Sequence, residues 1–210
     1  MIIKDYQLIN SINSELFQSF LIYGPNEGLI RENIDIVYKN FSKGADCEKI
    51  NINGKQLDES ISILNDEIST ISLFSEKKFI VLDFPKEKHV SIIENSLSLN
   101  FKNTCMVVKQ DNLTKSSSIR KLYETSKNHF CLACYDDDIK ALSSIIEKFQ
   151  KEHSITFDSD VKNFLLNNLG NDRMVIKNEL EKILLSLSKD DHKVDIEKLK
   201  YILHDSAHTD

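Results

Sequence analysis

Over its first two-thirds the chain alternates short apolar runs with amphipathic stretches. The runs are Phe20–Tyr23, Cys47–Ile52, Phe79–Phe84, Thr104–Val108 and Phe130–Cys134. Between them, Leu29–Phe41, Leu57–Ile68, Val90–Leu99 and Ser117–Ser126 carry apolar residues at helical spacing. Continuous apolar runs of this length suit strands buried on both faces, as in a parallel sheet. Strands alternating with helices imply βαβ units, and so an α/β domain with helices on both faces of a parallel sheet.

After Tyr135 the pattern changes. Asp136, Asp137 and Asp138 place carboxylates where a helix N-terminus favours negative charge. Ile139, Leu142, Ile145, Ile146 and Phe149 then recur as one helical stripe. A second helix is expected from about Asp158, through Val161, Phe164, Leu165 and Leu169, to Gly170. A third follows Asp172 with Ile176, Leu180, Ile183, Leu184 and Leu187, and a short fourth carries Ile196, Leu199 and Ile202. No strand signal interrupts them. The expected organisation is an α/β domain over residues 1–136 and a small helical bundle over 137–210.

Composition narrows the function. Only 5 Gly and 2 Pro in 210 residues argue for long regular elements and short loops. No apolar run approaches the roughly 20 residues of a membrane helix, and MIIKDYQLIN lacks the features of a signal peptide. A cytoplasmic protein without membrane contact is expected. A net charge of −6 supplies no broad positive field, so contact with DNA would be local, weak or made through a partner. Cys47 and Cys105 lie in strand-like stretches. The lone CxxC of Cys131 and Cys134 lacks a second ligand pair, so no metal is expected. His89, His129, His153, His192, His204 and His208 are scattered and read as surface residues, with no spacing that suggests a triad.

The most informative segment is Phe20-Leu-Ile-Tyr-Gly-Pro-Asn-Glu-Gly-Leu-Ile-Arg. Strand, Gly-Pro turn and helix are the layout of a phosphate-binding loop. Such a loop needs Gly amides around the phosphates, a Lys on the terminal phosphates and a Ser or Thr on magnesium. With Gly24 as the first glycine, followed by Pro25 and Gly28, the motif puts Leu29 on the last glycine, Ile30 on the lysine and Arg31 on the hydroxyl. Asp83 could supply a metal-binding acid, but Phe84-Pro85 follows where a second acid is required. No cofactor and no catalytic residue are expected. An ordinary strand-to-helix turn with two glycines would read the same way, and a small ATPase with an irregular loop is the enzymatic alternative.

The segments FLIYGPNEGLIRE (Phe20–Glu32), SLFSEKKFIVLD (Ser72–Asp83), VVKQDNLTKSSSIRKLYE (Val107–Glu124), ACYDDD (Ala133–Asp138) and LGNDRMVIKNELEKI (Leu169–Ile183) resemble the delta subunit of the bacterial DNA polymerase III clamp loader. The resemblance spans nearly the whole chain, and GPNEG and LGNDR are its most specific parts. It implies an AAA+ or RecA-like sheet domain and a helical lid that bind no nucleotide. It also implies a non-catalytic part of a nucleotidyltransferase holoenzyme that opens the sliding clamp (the beta subunit) during DNA replication. The related delta prime subunit is a further alternative; the lack of zinc-ligand cysteine clusters in the sheet domain favours delta. Delta subunits also carry a helical collar that joins them to the other loader subunits. This chain stops about where a collar should begin, so it is expected to be a fragment.

By the same resemblance, Ile71, Leu73 and Phe74 form an apolar wedge that enters a pocket on the clamp. Leu57, Ile61, Leu64 and Ile68 already make a complete stripe on the preceding helix, so Leu73 and Phe74 need not be core. A longer helix with both side chains packed inward fits the spacing equally well; the resemblance selects the wedge.

Overall fold

In the central strands, alternate residues serve opposite faces of one sheet. The computed structural model describes residues 1–4, 7–12, 19–99, 101, 103–136, 138–168, 173–187, 193–197 and 199–200. The expected Asp137, Leu169, Gly170, Asp172, His192, Ile202, His204 and His208 lie outside them. The chain divides into two compact units, Met1–Tyr135 and Asp136–Asp210.

The first unit runs β1 (Ile2–Ile3), α1 (Leu8–Ile12), β2 (Ser19–Tyr23), α2 (Glu27–Ser42), β3 (Cys47–Asn53), α3 (Gly54–Glu59) and α4 (Ile63–Ser69). It continues with β4 (Lys77–Asp83), a 3-10 turn (Glu87–His89), α5 (Val90–Leu97), β5 (Thr104–Gln110), α6 (Ser118–Thr125) and β6 (His129–Ala133). The strands form one parallel sheet in the order β1-β6-β2-β5-β4-β3. Phe20, Ile22, Phe79, Val81, Cys105 and Val107 pack under α1 and α2 with Leu8, Ile30, Ile34 and Val37. Leu21, Tyr23, Ile80, Leu82, Met106 and Val108 pack under the opposite helices with Leu57, Leu64, Ile93 and Tyr123. Each helical layer thus covers one set of alternate side chains, as a sheet buried on both faces requires.

Departures from the expected pattern lie at element ends and sheet edges. The expected strand Cys47–Ile52 is an edge strand with Ile52 as its only buried residue; Glu48 and Lys49 are exposed, and such charges protect an edge from further pairing. At the other edge β1 pairs with β6, too short to leave a pattern. Strand β4 stops at Asp83, and Phe84 follows with a φ of 48°. Strand β6 likewise ends one residue before Cys134.

The stretch Leu57–Ile68 is two helices. The Ser60 backbone is extended at the end of α3 and its N–H bonds to the Gln56 carbonyl. That break shifts the helical phase, and Ile61 is 71 % exposed in the turn instead of completing a buried stripe. Serines favour such ends because their side chains compete with the helix for backbone groups.

In the second unit, α7 (Ile139–His153), α8 (Ser159–Asn168) and α9 (Arg173–Ser186) enclose Leu142, Ile146, Val161, Leu165, Ile176, Leu180 and Ile183. Asp138 caps α7 by accepting from the Ala141 N–H at 2.8 Å. Ile139 departs from the expected stripe and is exposed. Helical side chains lean toward the N-terminus, so at the first position this one points past the helix end. The unit also contains a strand pair that the spacing did not reveal. Strand β7 (Thr156–Phe157) lies parallel to β8 (Lys193–Val194), two residues each, with Phe157 and Val194 in the core.

Two histidines expected at the surface are buried, His89 and His129. His89 Nδ1 accepts from the Lys86 N–H at 3.1 Å, so Nε2 carries the proton and donates to Asp58 Oδ1 at 2.8 Å. Lys88 also reaches Asp58. This cluster ties the 3-10 turn to the end of α3. Hydrogen bonds from Lys88, then His89, hold the Asp58 carboxyl down at about 2. A depressed carboxyl contributes stability above its unfolded value, near 4, and loses it as pH falls toward 2. Asp58→Asn should therefore flatten the stability curve between about pH 4 and pH 2. Urea unfolding midpoints across that range are the measurement, and curves parallel to the parent's would refute it.

Candidate functional site

The turn after β2 sits at the C-terminal edge of the sheet, where open α/β sheets bind ligands. Here it is closed by the protein's own backbone. Gly24 has a φ of 147°, and a Cβ there would lie 1.9 Å from the Cys134 carbonyl oxygen. The Cys134 N–H donates to the Tyr23 carbonyl at 2.7 Å, and the Asn26 N–H donates to the Cys134 carbonyl at 3.2 Å. Residues following β6 thus lie against the turn.

Pro25 and Asn26 complete a short connection, and α2 already begins at Glu27, which puts Gly28 inside the helix. The Asn26 side chain caps it by accepting from the Leu29 N–H at 2.9 Å, an amide that a phosphate loop would present to its ligand. Leu29 and Ile30 are both buried in the core beneath α2. The residue on the lysine position therefore faces the core.

Arg31, on the hydroxyl position, donates to Glu27 Oε1 at 2.7 Å. That hydrogen bond holds the Glu27 carboxyl below its ordinary range. Lys109 Nζ lies 3.8 Å from the same carboxylate and 4.7 Å from the Phe84 ring centre. The first turn of α2 thus carries its own anion, which suits the helix dipole and is itself paired with Arg31 and Lys109. Asp83 ends β4, and the Phe84 N–H donates to the Lys109 carbonyl at 3.0 Å.

Among the described residues, no group of three or more His, Cys, Asp or Glu side chains could hold a metal ion. Cys131 and Cys134 are free and buried, and burial pushes the Cys131 thiol up to about 12. Such a thiol is unreactive at neutral pH.

The other expected site lies between α4 and β4. Helix α4 ends at Ser69, and Thr70 turns extended, with its N–H and hydroxyl both donating to the Asp66 carbonyl at 2.9 and 2.7 Å. The chain then projects Ile71, Leu73 and Phe74, which are 86, 91 and 91 % exposed. The longer helix that the spacing also allowed is not formed. Below the loop, Lys78 is buried and its Nζ lies 3.1 Å from the Glu67 carbonyl, 3.2 Å from Glu67 Oε2 and 2.9 Å from Thr70 Oγ1. Its role was not evident from residue type. The strand alternation that starts at Phe79 was the available signal, since it sends adjacent Lys77 and Lys78 to opposite faces.

A family model described as "DNA polymerase III, delta subunit" matches residues 20–164, more than half of the chain. The chain belongs to the DNA polymerase III delta subunit family. A relative, the probable DNA polymerase III subunit delta of Rickettsia prowazekii (strain Madrid E), is 24 % identical over 182 residues. The match covers 85 % of this chain and 53 % of the relative, so the chain spans about half that protein's length.

Among solved structures, the Bacillus subtilis DNA clamp loader delta protein (YqeN) matches with a TM-score of 0.60 at 15 % identity. It covers 93 % of this delta-family chain and 61 % of the other. Domain III of the Thermotoga maritima replication initiation protein DnaA matches with a TM-score of 0.59 at 12 % identity, covering 95 % and 89 %. These likenesses establish the AAA+-like fold expected from the sequence. The family match also agrees with the resemblance carried by GPNEG, whereas Leu169–Asp172 of the LGNDR segment lie outside the described residues.

The closed turn makes a direct prediction for this delta-family chain. Gly24→Ala should destabilise it by more than about 2 kcal/mol, because the added methyl combines backbone strain with overlap on Cys134. Chemical denaturation of the two proteins measures this, and equal midpoints would show that the segment after β6 can yield.

Proposed function

We propose that this chain is a non-catalytic clamp-loader subunit that grips and helps to open the ring-shaped sliding clamp, with Ile71, Leu73 and Phe74 as its working surface. The observation that carries this reading is the exposure of three large apolar side chains on one short loop beside an otherwise well-buried sheet. Adjacent apolar anchors of this kind gain most when they enter a desolvated pocket on a partner. The role needs no chemistry from the chain itself. It also accommodates a turn whose amides and helix dipole are already used internally. The other loader subunits, and primer-template DNA held weakly or through them, complete the expected partners. A cytoplasmic location is part of the same reading; among the described residues no helix is long and apolar enough to cross a membrane.

Leu73→Ala combined with Phe74→Ala should remove most clamp binding, at roughly a thirtyfold loss in affinity per side chain. Stability should stay within about 0.5 kcal/mol of the parent, since neither residue packs in the core. A titration with the sliding clamp of the same source, beside a thermal melt, separates the outcomes. A variant that still binds as the parent does would move the clamp site elsewhere.

Equilibrium dialysis with labelled ATP and magnesium should detect no binding by the chain. Saturable uptake in the micromolar range would restore the ATPase alternative.

A further inference from the structure

The wedge loop is tied to the sheet at one point. Lys78 is fixed by its backbone near the start of β4, where its N–H donates to the Asn103 carbonyl at 2.9 Å. Its buried ammonium has three donors and finds three acceptors within 3.2 Å: the Glu67 carbonyl, Glu67 Oε2 and Thr70 Oγ1. All three belong to the last turn of α4 or to the first residue of the loop. The cation thus caps a helix C-terminus, where positive charge is favoured, and grips the residue from which the loop departs. Thr70 is itself exposed, so the far end of the tie is at the surface rather than in the core.

An apolar residue at position 78 would fill the space without the cost of removing an ammonium from water. The tie therefore fixes the course of the loop more than it adds to the core. Lys77 shows the contrast: pointing to the other face, its ammonium caps α2 through the Phe41 and Ser42 carbonyls at 2.6 and 3.2 Å.

We propose that Lys78 is the positioning residue of the wedge, holding the end of α4 and Thr70 so that Ile71, Leu73 and Phe74 are presented already ordered. This rests on the clamp-binding reading above. Ordering an interface loop before contact lowers the cost of binding, so loss of the tie should appear as weaker affinity and a looser loop.

The test compares the parent chain with Lys78→Met, Thr70→Ala, Thr70→Ser and the wedge double variant. Each is titrated with the sliding clamp, and backbone NMR order parameters are measured over residues 71–75. Lys78→Met should weaken binding about tenfold and Thr70→Ala about threefold, with lower order parameters in the loop and unchanged values in β4 and β5. Thr70→Ser keeps the hydroxyl and should behave as the parent.

If the wedge double variant loses binding while Lys78→Met and Thr70→Ala bind as the parent does, the inference is overturned and the wedge stands. If binding is indifferent to Leu73 and Phe74, the wedge reading falls, and unchanged order parameters in Lys78→Met then overturn the tie as well. Should Lys78→Met fail to fold, the threonine pair decides: equal affinity for the alanine and serine variants refutes the proposal.

Discussion

The first unit depends on the burial of its central strands on both faces. Strands β2, β4 and β5 carry almost no side chain that can meet water, so each face needs a helical layer. Parallel pairing forces every connection to travel from the C-terminal edge of one strand to the N-terminal edge of the next. Turns therefore collect at the two edges. The turn after β2 lies at one of them, and the loop carrying Ile71, Leu73 and Phe74 precedes the N-terminal end of β4 at the other.

Cations in this acidic chain serve as ties within it. Lys77 and Lys78 cap two helices on opposite faces, Arg120 lies over Tyr23 while bonding Glu124 and the Leu113 carbonyl, and Lys88 pairs with Asp58 beside the neutral His89. Lys77 and Lys78 reach carbonyls near the C-terminal ends of α2 and α4. Those two contacts gain from the helix dipole as well as from the charge-assisted hydrogen bonds. The loop carrying Ile71, Leu73 and Phe74 is held by such a tie, so these exposed apolar side chains sit on a loop whose root is bonded to β4.

The turn after β2 is filled by contacts within the chain. The helix N-terminus keeps its positive end, but Asn26 takes an amide, Glu27 supplies the negative charge and the Cys134 carbonyl accepts from the turn. The Leu29 and Asn26 amides at this turn therefore have internal partners. The same turn now serves as a packing element, and Gly24 is required there because the backbone of Cys134 passes where a side chain would be.

The sequence by itself determined the sheet-and-helix alternation, the change of texture after Tyr135 and the loss of the lysine and hydroxyl from the phosphate motif. These depend on side-chain type and local spacing, which the chain carries residue by residue. It could not place the break at Ser60, the exposure of Ile61 and Ile139 or the strand pair of the second unit, because helical spacing does not record where a helix stops. It identified Ile71, Leu73 and Phe74 but left their burial open, since a longer α4 would have satisfied the same pattern. Only the tertiary structure decided that. Lys78 reaches the end of α4 from a neighbouring strand, Thr70 turns extended, and the loop is left facing water. Those contacts join residues eight and eleven positions apart across a turn, and no local propensity specifies them.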